Sequence, residues 1–326
     1  MHTADRYEQS LCAGMEKKMK KKIVSLLLIA VLALSMTACG SKDASGTPVN
    51  TPDNSQTGDT PTDTPADDPA DTPAGDSQAG LSGTIVITGS TSVDKIINDM
   101  INEFTAANPD VTINYTGTGS SAGIQDTIDG INTLGAASRE LKDEEAAAGV
   151  KSEIFAYDGI ALIVNPANEI QDISIEDLAK IYSGEITNWN QVGGKDAPIV
   201  VVSREGASGT RSAFEELLKL EDAGGLTEEA MVVEGNGNVQ ATVAGNENAV
   251  GYVSFSFIDE TVKALTVGGV EASAENAKSG SYPLSRPFLL VYTDTTMTDL
   301  AQAFIDFAKS DDGQSFVEAH GGIRID

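Results

Sequence analysis

The stretch IVVVSREGASGT at residues 199–210 decides the fold, because an apolar run with strand character passes through a Ser/Gly loop into a helix-like run. The same order occurs in IVITGSTS at residues 85–92 and in VTINYTGTGSS at residues 111–121. Repeated strand–loop–helix units predict an α/β fold with mostly parallel sheets flanked by helices.

All three loops are rich in the residue types that accept an anion at a helix start. A helix N-terminus has unpaired N–H groups and the positive end of the peptide dipole, and small hydroxyl residues let an oxyanion approach closely. Each loop alone could simply cap its helix, but the repetition predicts convergence on one anion. The candidate donors are Ser90, Thr91, Ser92, Ser120, Ser121, Ser208, Gly209 and Thr210.

Two arginines and one carboxylate complete the candidate site. Arg204 lies four residues before Ser208, so its guanidinium could reach the same ligand as the helix start. Arg139 and Asp158 form a second potential pair. The alternative is that both arginines make ordinary surface ion pairs with the abundant carboxylates.

The first 38 residues have the features of a signal peptide. A basic segment at residues 16–22 precedes an apolar segment of 14 residues at 23–36, which is short for a membrane span. The following Met36-Thr37-Ala38-Cys39 resembles a lipobox, with Met36 where leucine is usual. We expect cleavage before Cys39 and lipidation of its thiol, the alternative being an ordinary signal peptide, and a true start at Met15 or Met19.

The exported chain is strongly acidic. The net charge of −28 becomes −31 when residues 1–38, with six basic and three acidic side chains, are removed. Such a surface disfavours nucleic acid and anionic membranes as partners, so we expect membrane contact through the lipid anchor only. Residues 39–81 are Thr/Pro/Asp-rich and predict a disordered tether.

The exported chain offers few metal ligands. No cysteine follows Cys39, which excludes disulfides and thiolate metal sites in the folded part. His320 is its only histidine, so a histidine-based metal site is not expected either. We therefore expect no metal and no cofactor.

Residues 82–326 are long enough for two intertwined lobes. We expect lobe I at 82–163 plus 286–326 and lobe II at 164–285, with the apolar runs 159–164 and 288–292 as the two crossings. Apolar residues at helical spacing from Val93 to Phe104 predict a first helix, and Thr91 and Ser92 before it are expected to form its N-terminal cap. Further helices are predicted at 175–182, 210–220, 238–244, 300–308 and 313–319, and strands at 154–165, 249–255 and 287–293.

Three enzyme motifs provide alternatives from another class. GSSAG at residues 119–123 matches a nucleophile elbow, so a secreted serine hydrolase using Ser121 and His320 is a competing hypothesis. Residues 117–122 also fit a dinucleotide fingerprint but lack the acidic residue that should end the next strand. Residues 92–95 form an isolated S-x-x-K, and no P-loop motif is present. These weaknesses favour a small free anion as ligand.

Seven motifs occur along the chain in a fixed order. They are GSTSV at 89–93, GTGSSAG at 117–123, ASR at 137–139, YDGIA at 157–161, IYSG with TNW at 181–189, REG with SGTR at 204–211, and GYV at 251–253. In this order they resemble the motifs of the phosphate-binding lipoproteins of bacterial phosphate ABC transporters, over essentially all of residues 82–326.

The resemblance implies a two-lobed periplasmic-binding-protein fold of type II that holds phosphate between its lobes. It implies a monomer without catalysis of its own, anchored to the outer face of the cytoplasmic membrane, that delivers phosphate to the transmembrane subunits of an ABC permease. One branch of the family has its acidic ligand contact in an Ala-Ser-Asp motif, where this chain has Arg139. We expect Asp158 to replace that contact. A receptor for sulfate, molybdate or another tetrahedral oxyanion, or a signalling receptor, remains an alternative.

Overall fold

The computed structural model describes residues 80–325. The predicted signal peptide, Cys39 and nearly all of the predicted tether lie outside the described residues. Leu81, which we expected at the end of the tether, is partly buried against the apolar core that contains Ile85 and Ile87, so we propose that the folded part begins by this residue. No helix within residues 80–325 is both long and apolar enough to cross a membrane.

Lobe I is built from both ends of the described chain. Its strands alternate with helices in the predicted manner. The elements are β1 Gly83–Gly89, α1 Asp94–Ala107, β2 Val111–Gly117, α2 Ser120–Ile128, β3 Leu134–Ala137, α3 Asp143–Ala147, the first part of β4 Lys151–Val164, β11 Ser285–Tyr292, α8 Asp299–Lys309 and α9 Asp311–Ala319.

Lobe II is formed by the middle of the chain. It has the same alternation of strands and helices, with two short 3₁₀ helices in addition. The elements are the second part of β4, β5 Asp172–Ile173, α4 Ile175–Ser183, the 3₁₀ helix Trp189–Val192, β6 Val200–Arg204, α5 Gly209–Leu217, β7 Met231–Val233, α6 Gly235–Ala244, β8 Ala249–Ser254, the 3₁₀ helix Phe255–Phe257, β9 Lys263–Ala264, β10 Thr266–Val267 and α7 Ala274–Lys278.

One continuous sheet runs through both lobes. Its nine described strands follow the order β2-β1-β3-β11-β4-β8-β6-β7, with β9 also paired to β4, while β5 and β10 form a small separate sheet. The pairs β1–β2, β1–β3, β6–β7 and β6–β8 are parallel, as predicted. The connecting strands β4 and β11 pair antiparallel with each other and with their neighbours. The predicted two-lobed α/β fold is confirmed.

The long strand β4 enters two separate apolar cores. Phe155 and Ala156 belong to the core of lobe I, whereas residues 160–164 belong to the core of lobe II. Partner strands change at the same point, because Gly159 pairs with Ser285 and Ile160 with Ser254. We therefore propose that lobe II begins near residue 160, earlier than the expected 164.

The second crossing also differs from the prediction. The apolar run 288–292 lies within lobe I, where it pairs with β3 and β4. Leu284 packs in the core of lobe II, so we propose that the chain crosses between Leu284 and Ser285, just before that run and within one residue of the expected lobe boundary between 285 and 286. The run is apolar because both faces of a central strand are covered, which sequence alone does not distinguish from a crossing.

Helix α1 has the predicted amphipathic pattern and a different start. Its buried residues are those expected from helical spacing, from Ile96 to Phe104. Val93 occupies the N-cap position and no side chain caps the helix, so the expected Thr91/Ser92 cap is wrong. The hydroxyls of Thr91 and Ser92 are instead bonded to residues of lobe II.

Candidate functional site

The three Ser/Gly loops meet between the lobes. Ser92 Oγ on lobe I lies 2.7 Å from Thr210 Oγ1 on lobe II. The backbone N–H of Ser121 donates to the carbonyl of Ala207 at 3.0 Å. Gly209 packs so tightly that a Cβ there would collide with the Ser120 hydroxyl. Loops far apart in sequence therefore converge, as expected for one shared ligand.

Hydroxyl groups of lobe I form a buried cluster around Ser138. Ser90 Oγ donates to Ser138 Oγ at 2.8 Å, and the Ser138 N–H donates to Ser120 Oγ at 3.1 Å. The side chains of Ser90, Ser120 and Ser138 are all buried. Ser138 was not predicted, although it lies in the ASR motif directly before Arg139. Clustered, buried hydroxyls of this kind can turn their hydrogens toward an oxyanion.

The start of α5 presents backbone donors to the same region. Ser208 caps the helix, since its hydroxyl accepts from the N–H of Arg211 at 3.1 Å. The N–H groups of Gly209 and Thr210 lie in the first turn, where no helical partner exists. Ser208 thus contributes by holding the helix start, and the next two residues provide the N–H groups.

Arg204 is buried at the end of β6 and is paired with its neighbour Glu205. Two hydrogen bonds of 2.8 and 2.7 Å join the guanidinium to the carboxylate, and Nη2 also donates to Thr91 Oγ1 at 3.1 Å. Arg204 Nη1 is buried without a partner. Burial favours a higher pKa for Glu205, but the hydrogen bond and charge of Arg204 lower it below its ordinary value. Burial raises the pKa of Tyr252 to about 12, and its hydroxyl accepts a hydrogen bond from the backbone N–H of Arg204.

Arg139 does not pair with Asp158, contrary to one of our hypotheses. Its guanidinium makes two short hydrogen bonds, of 2.8 and 2.7 Å, to Glu145 at the start of α3. It also donates to Ser121 Oγ at 3.1 Å. Glu145 was unforeseen because the pairing depends on how the loop after β3 folds back. Arg139 therefore reaches the candidate site through Ser121.

Asp158 pairs with Arg286, a residue that belongs to none of the sequence motifs. The two residues are register partners on the antiparallel strands β4 and β11, so their side chains leave the sheet together. Arg286 Nη2 and Nε donate to Asp158 Oδ2 at 2.8 and 3.1 Å. Oδ1 accepts from Ser254 Oγ at 2.9 Å and from the N–H of Phe255 at 3.2 Å.

The Asp158–Arg286 pair is almost fully buried. Side-chain exposure is 1% for Asp158 and 2% for Arg286. Burial raises the pKa of Asp158 and lowers that of Arg286, because each charged form loses its water, while their mutual attraction and hydrogen bonds act in the opposite direction. All four hydrogen-bonding positions of the carboxylate are already occupied, so its geometry favours a role in holding Arg286.

Arg286 also touches the hydroxyl cluster. Its Nη2 donates to Ser92 Oγ at 3.0 Å, and its Nη1 donates to the Ser138 carbonyl at 3.1 Å. Arg139, Arg204 and Arg286 thus each have a carboxylate partner and at least one hydroxyl contact. The arginine charges are balanced locally, and their donors reach the cleft largely through serine and threonine hydroxyls.

The hydrolase hypothesis finds no geometric support within residues 80–325. His320 Nε2 lies 2.8 Å from Asp99 Oδ2 on α1, and Ser121 Oγ is bonded to Arg139. A serine nucleophile needs a base within hydrogen-bonding reach. Neither residue of the proposed pair is bonded to the other.

Comparisons with known proteins agree on one family. A model described as the PBP superfamily domain matches residues 74–312. The chain is 33% identical over 254 residues to the phosphate-binding protein PstS of Borreliella burgdorferi, covering 74% of this chain and 90% of that protein. It is 32% identical over 312 residues to the phosphate-binding protein PstS of Bacillus subtilis, covering 94% and 95%.

Solved structures agree with the sequence matches. A crystal structure described as a phosphate ABC transporter substrate-binding protein with bound phosphate, from Clostridium perfringens, is 45% identical with a TM-score of 0.73. The alignment covers 75% of this chain and 100% of the Clostridium perfringens chain.

Proposed function

This chain belongs to the PBP superfamily and to the family of PstS phosphate-binding proteins, and we propose that it is a receptor for inorganic phosphate serving an ABC importer. One observation carries the proposal beyond family membership. Hydroxyl and backbone donors at three loop–helix junctions converge from both lobes, with Ser92 and Thr210 in direct contact across the cleft. A tetrahedral oxyanion is the ligand class that such donors can surround.

We assign the ligand contacts to the loops and to one arginine. The donor residues are Ser90, Thr91, Ser120, Ser121, Gly209 and Thr210, with Ser92 acting through Thr210 and Ser208 holding the helix start. Arg204 fits a direct contact best, because its Nη1 is buried without a hydrogen-bond partner while its Nη2 donates to Thr91 Oγ1. Arg139 and Asp158 act indirectly, Arg139 through Ser121 and Asp158 by orienting Arg286.

Location and partners follow from the same proposal. The receptor is exported, processed before Cys39 and held by lipid on the outer face of the cytoplasmic membrane. It acts as a monomer, meets the transmembrane subunits of the permease and catalyses no reaction. The matched relatives are named as binding proteins, which supports a receptor without chemistry.

Calorimetry of the purified protein, stripped of bound anion, tests this function. We expect tight, saturable binding of phosphate, weaker binding of sulfate, and a higher melting temperature with phosphate because the ligand binds only the folded state. Small-angle scattering should show a more compact protein with ligand. Unchanged melting and scattering at saturating phosphate would refute the receptor function.

A further inference from the structure

Asn236 is a fully buried residue that reaches from lobe II to lobe I. It lies at the start of α6, directly after Gly235, which has a φ of 75°. Its Oδ1 accepts from the backbone N–H of Ser254 at 3.1 Å, and this bond fixes the orientation of the amide. Its Nδ2 therefore faces lobe I, where it donates to Thr91 Oγ1 at 3.0 Å and Ser92 Oγ at 3.1 Å.

These bonds determine what the Thr91 hydroxyl can do. A hydroxyl has one donor hydrogen and two acceptor lone pairs. Thr91 Oγ1 accepts from Asn236 Nδ2 and from Arg204 Nη2, so both lone pairs are used. Its own hydrogen must be donated elsewhere. An oxyanion held between the lobes is an acceptor of the kind that this hydrogen needs.

The same reasoning applies to Ser92. Its Oγ accepts from Asn236 Nδ2 and from Arg286 Nη2 at 3.0 Å. Ser92 must therefore donate its hydrogen to Thr210 Oγ1, 2.7 Å away. Thr210 in turn keeps its own hydrogen for a further acceptor. In this series of hydrogen-bonded hydroxyls, the amide and guanidinium groups that donate to each oxygen determine where its own hydrogen points.

We propose that Asn236 is a positioning residue of the anion site, which makes the hydroxyls of Thr91 and Ser92 obligate donors when the lobes meet. The inference rests on the proposed function and deepens it. Asn236 links closure of the two lobes to ligand recognition. Its amide N–H groups belong to lobe II, whereas the hydroxyls of Thr91 and Ser92 that they orient belong to lobe I. Without this amide the Thr91 hydroxyl gains a lone pair that it can turn toward the oxyanion, and Ser92 can accept from Thr210 instead of donating to it.

The first test compares Asn236→Ala with Asn238→Ala. Asn238 lies on the same helix, is exposed, and donates only to the carbonyl of Glu234 at 2.7 Å, so it is a matched control. Loss of two oriented hydrogen bonds should weaken phosphate binding about 10- to 100-fold in Asn236→Ala. Asn238→Ala should bind like the wild type. Equal affinities of the two variants would overturn the proposal.

A second pair of variants keeps the side-chain size at position 236 and tests the donor role by itself. Asn236→Asp keeps an acceptor for the Ser254 N–H and replaces the two donors by a carboxylate oxygen, and Asn238→Asp adds the same charge at an exposed position. Asn236→Asp should lose more than about 100-fold in affinity, because Thr91 and Ser92 then donate to the new carboxylate. Equal losses in the two aspartate variants would show an effect of charge alone and overturn the proposal.

A double-mutant cycle separates positioning from general support of the fold. If Asn236 acts through Thr91, the loss caused by Asn236→Ala should shrink at least about threefold in a Thr91→Val background. A loss that is undiminished in that background would overturn the proposal. If the wild type binds neither phosphate, sulfate nor molybdate, the proposed function fails and the inference fails with it. If the wild type binds phosphate and Asn236→Ala binds it with the same affinity, only the inference is refuted.

Discussion

The buried pair Asp158–Arg286 allows a quantitative prediction. Each side chain is at most 2% exposed, and Arg286 is held by two hydrogen bonds to the same carboxylate oxygen. Removing one partner of such a pair leaves an uncompensated buried charge, which costs about 3–5 kcal/mol. Asp158→Asn and Arg286→Gln should each lower the free energy of unfolding by this amount.

The double variant tests the origin of that cost. When both charges are removed together, neither is left unpaired, so Asp158→Asn combined with Arg286→Gln should lose clearly less than the sum of the single losses. Urea denaturation of the phosphate-free protein measures all three values. Lys309→Gln is the control, because its pair with Glu153 is about one-third exposed on each side and should contribute about 0–1 kcal/mol.

Two results would refute this reasoning. The first is a loss in either single variant no larger than that of Lys309→Gln, and the second is strict additivity in the double variant. Ligand selectivity gives an independent check on Asp158. If Asp158 only orients Arg286, Asp158→Asn should weaken phosphate binding and sulfate binding by the same factor. A smaller ratio of phosphate affinity to sulfate affinity in Asp158→Asn would instead indicate that Asp158 accepts the phosphate proton.

Three further predictions concern other parts of the chain. Glu205→Gln should be less stable than the wild type near neutral pH. Because the pKa of Glu205 in the folded state is below its ordinary 4.5, its stabilising contribution is fully present above pH 4.5 and disappears as the pH falls through the lowered value. The melting temperatures of the variant and the wild type should therefore converge in acid. His320→Ala should leave phosphate affinity unchanged, and a fluorophosphonate probe should not label Ser121; labelling that depends on the histidine would support a hydrolase. Cys39→Ser should release the protein from the membrane with its phosphate affinity intact, as fractionation can show, and retention of the variant would exclude lipid on this cysteine as the anchor.

Much of the fold could be predicted from local sequence patterns. The strand–loop–helix units in residues 85–92, 111–121 and 199–210 have the expected form, because apolar periodicity and helix-start chemistry act over a few neighbouring residues. The exact crossings between lobes could not be predicted. A central strand and a crossing strand are both apolar runs, and only the packing of Phe155 and Ile160 into different cores separates them.

The composition also determined the character of the site. A chain with a net charge of −28, no cysteine in its predicted folded part and repeated Ser/Gly loops points to an anion bound by hydroxyls, amides and a few arginines. It did not determine which carboxylate neutralises which arginine. With 49 acidic residues in the sequence, Arg139 had many possible partners, and Glu145 is the partner only because the loop after β3 folds back onto α3.

Only the tertiary structure decided the role of the residues at the lobe junction. Asp158 and Arg286 are 128 positions apart, and the antiparallel register of β4 and β11 makes them neighbours. Asn236 meets Thr91 across 145 positions because the two lobes close on each other. Such contacts depend on sheet order and lobe closure, which short-range sequence patterns do not encode, whereas the helix-start loops depend on residues adjacent in the chain.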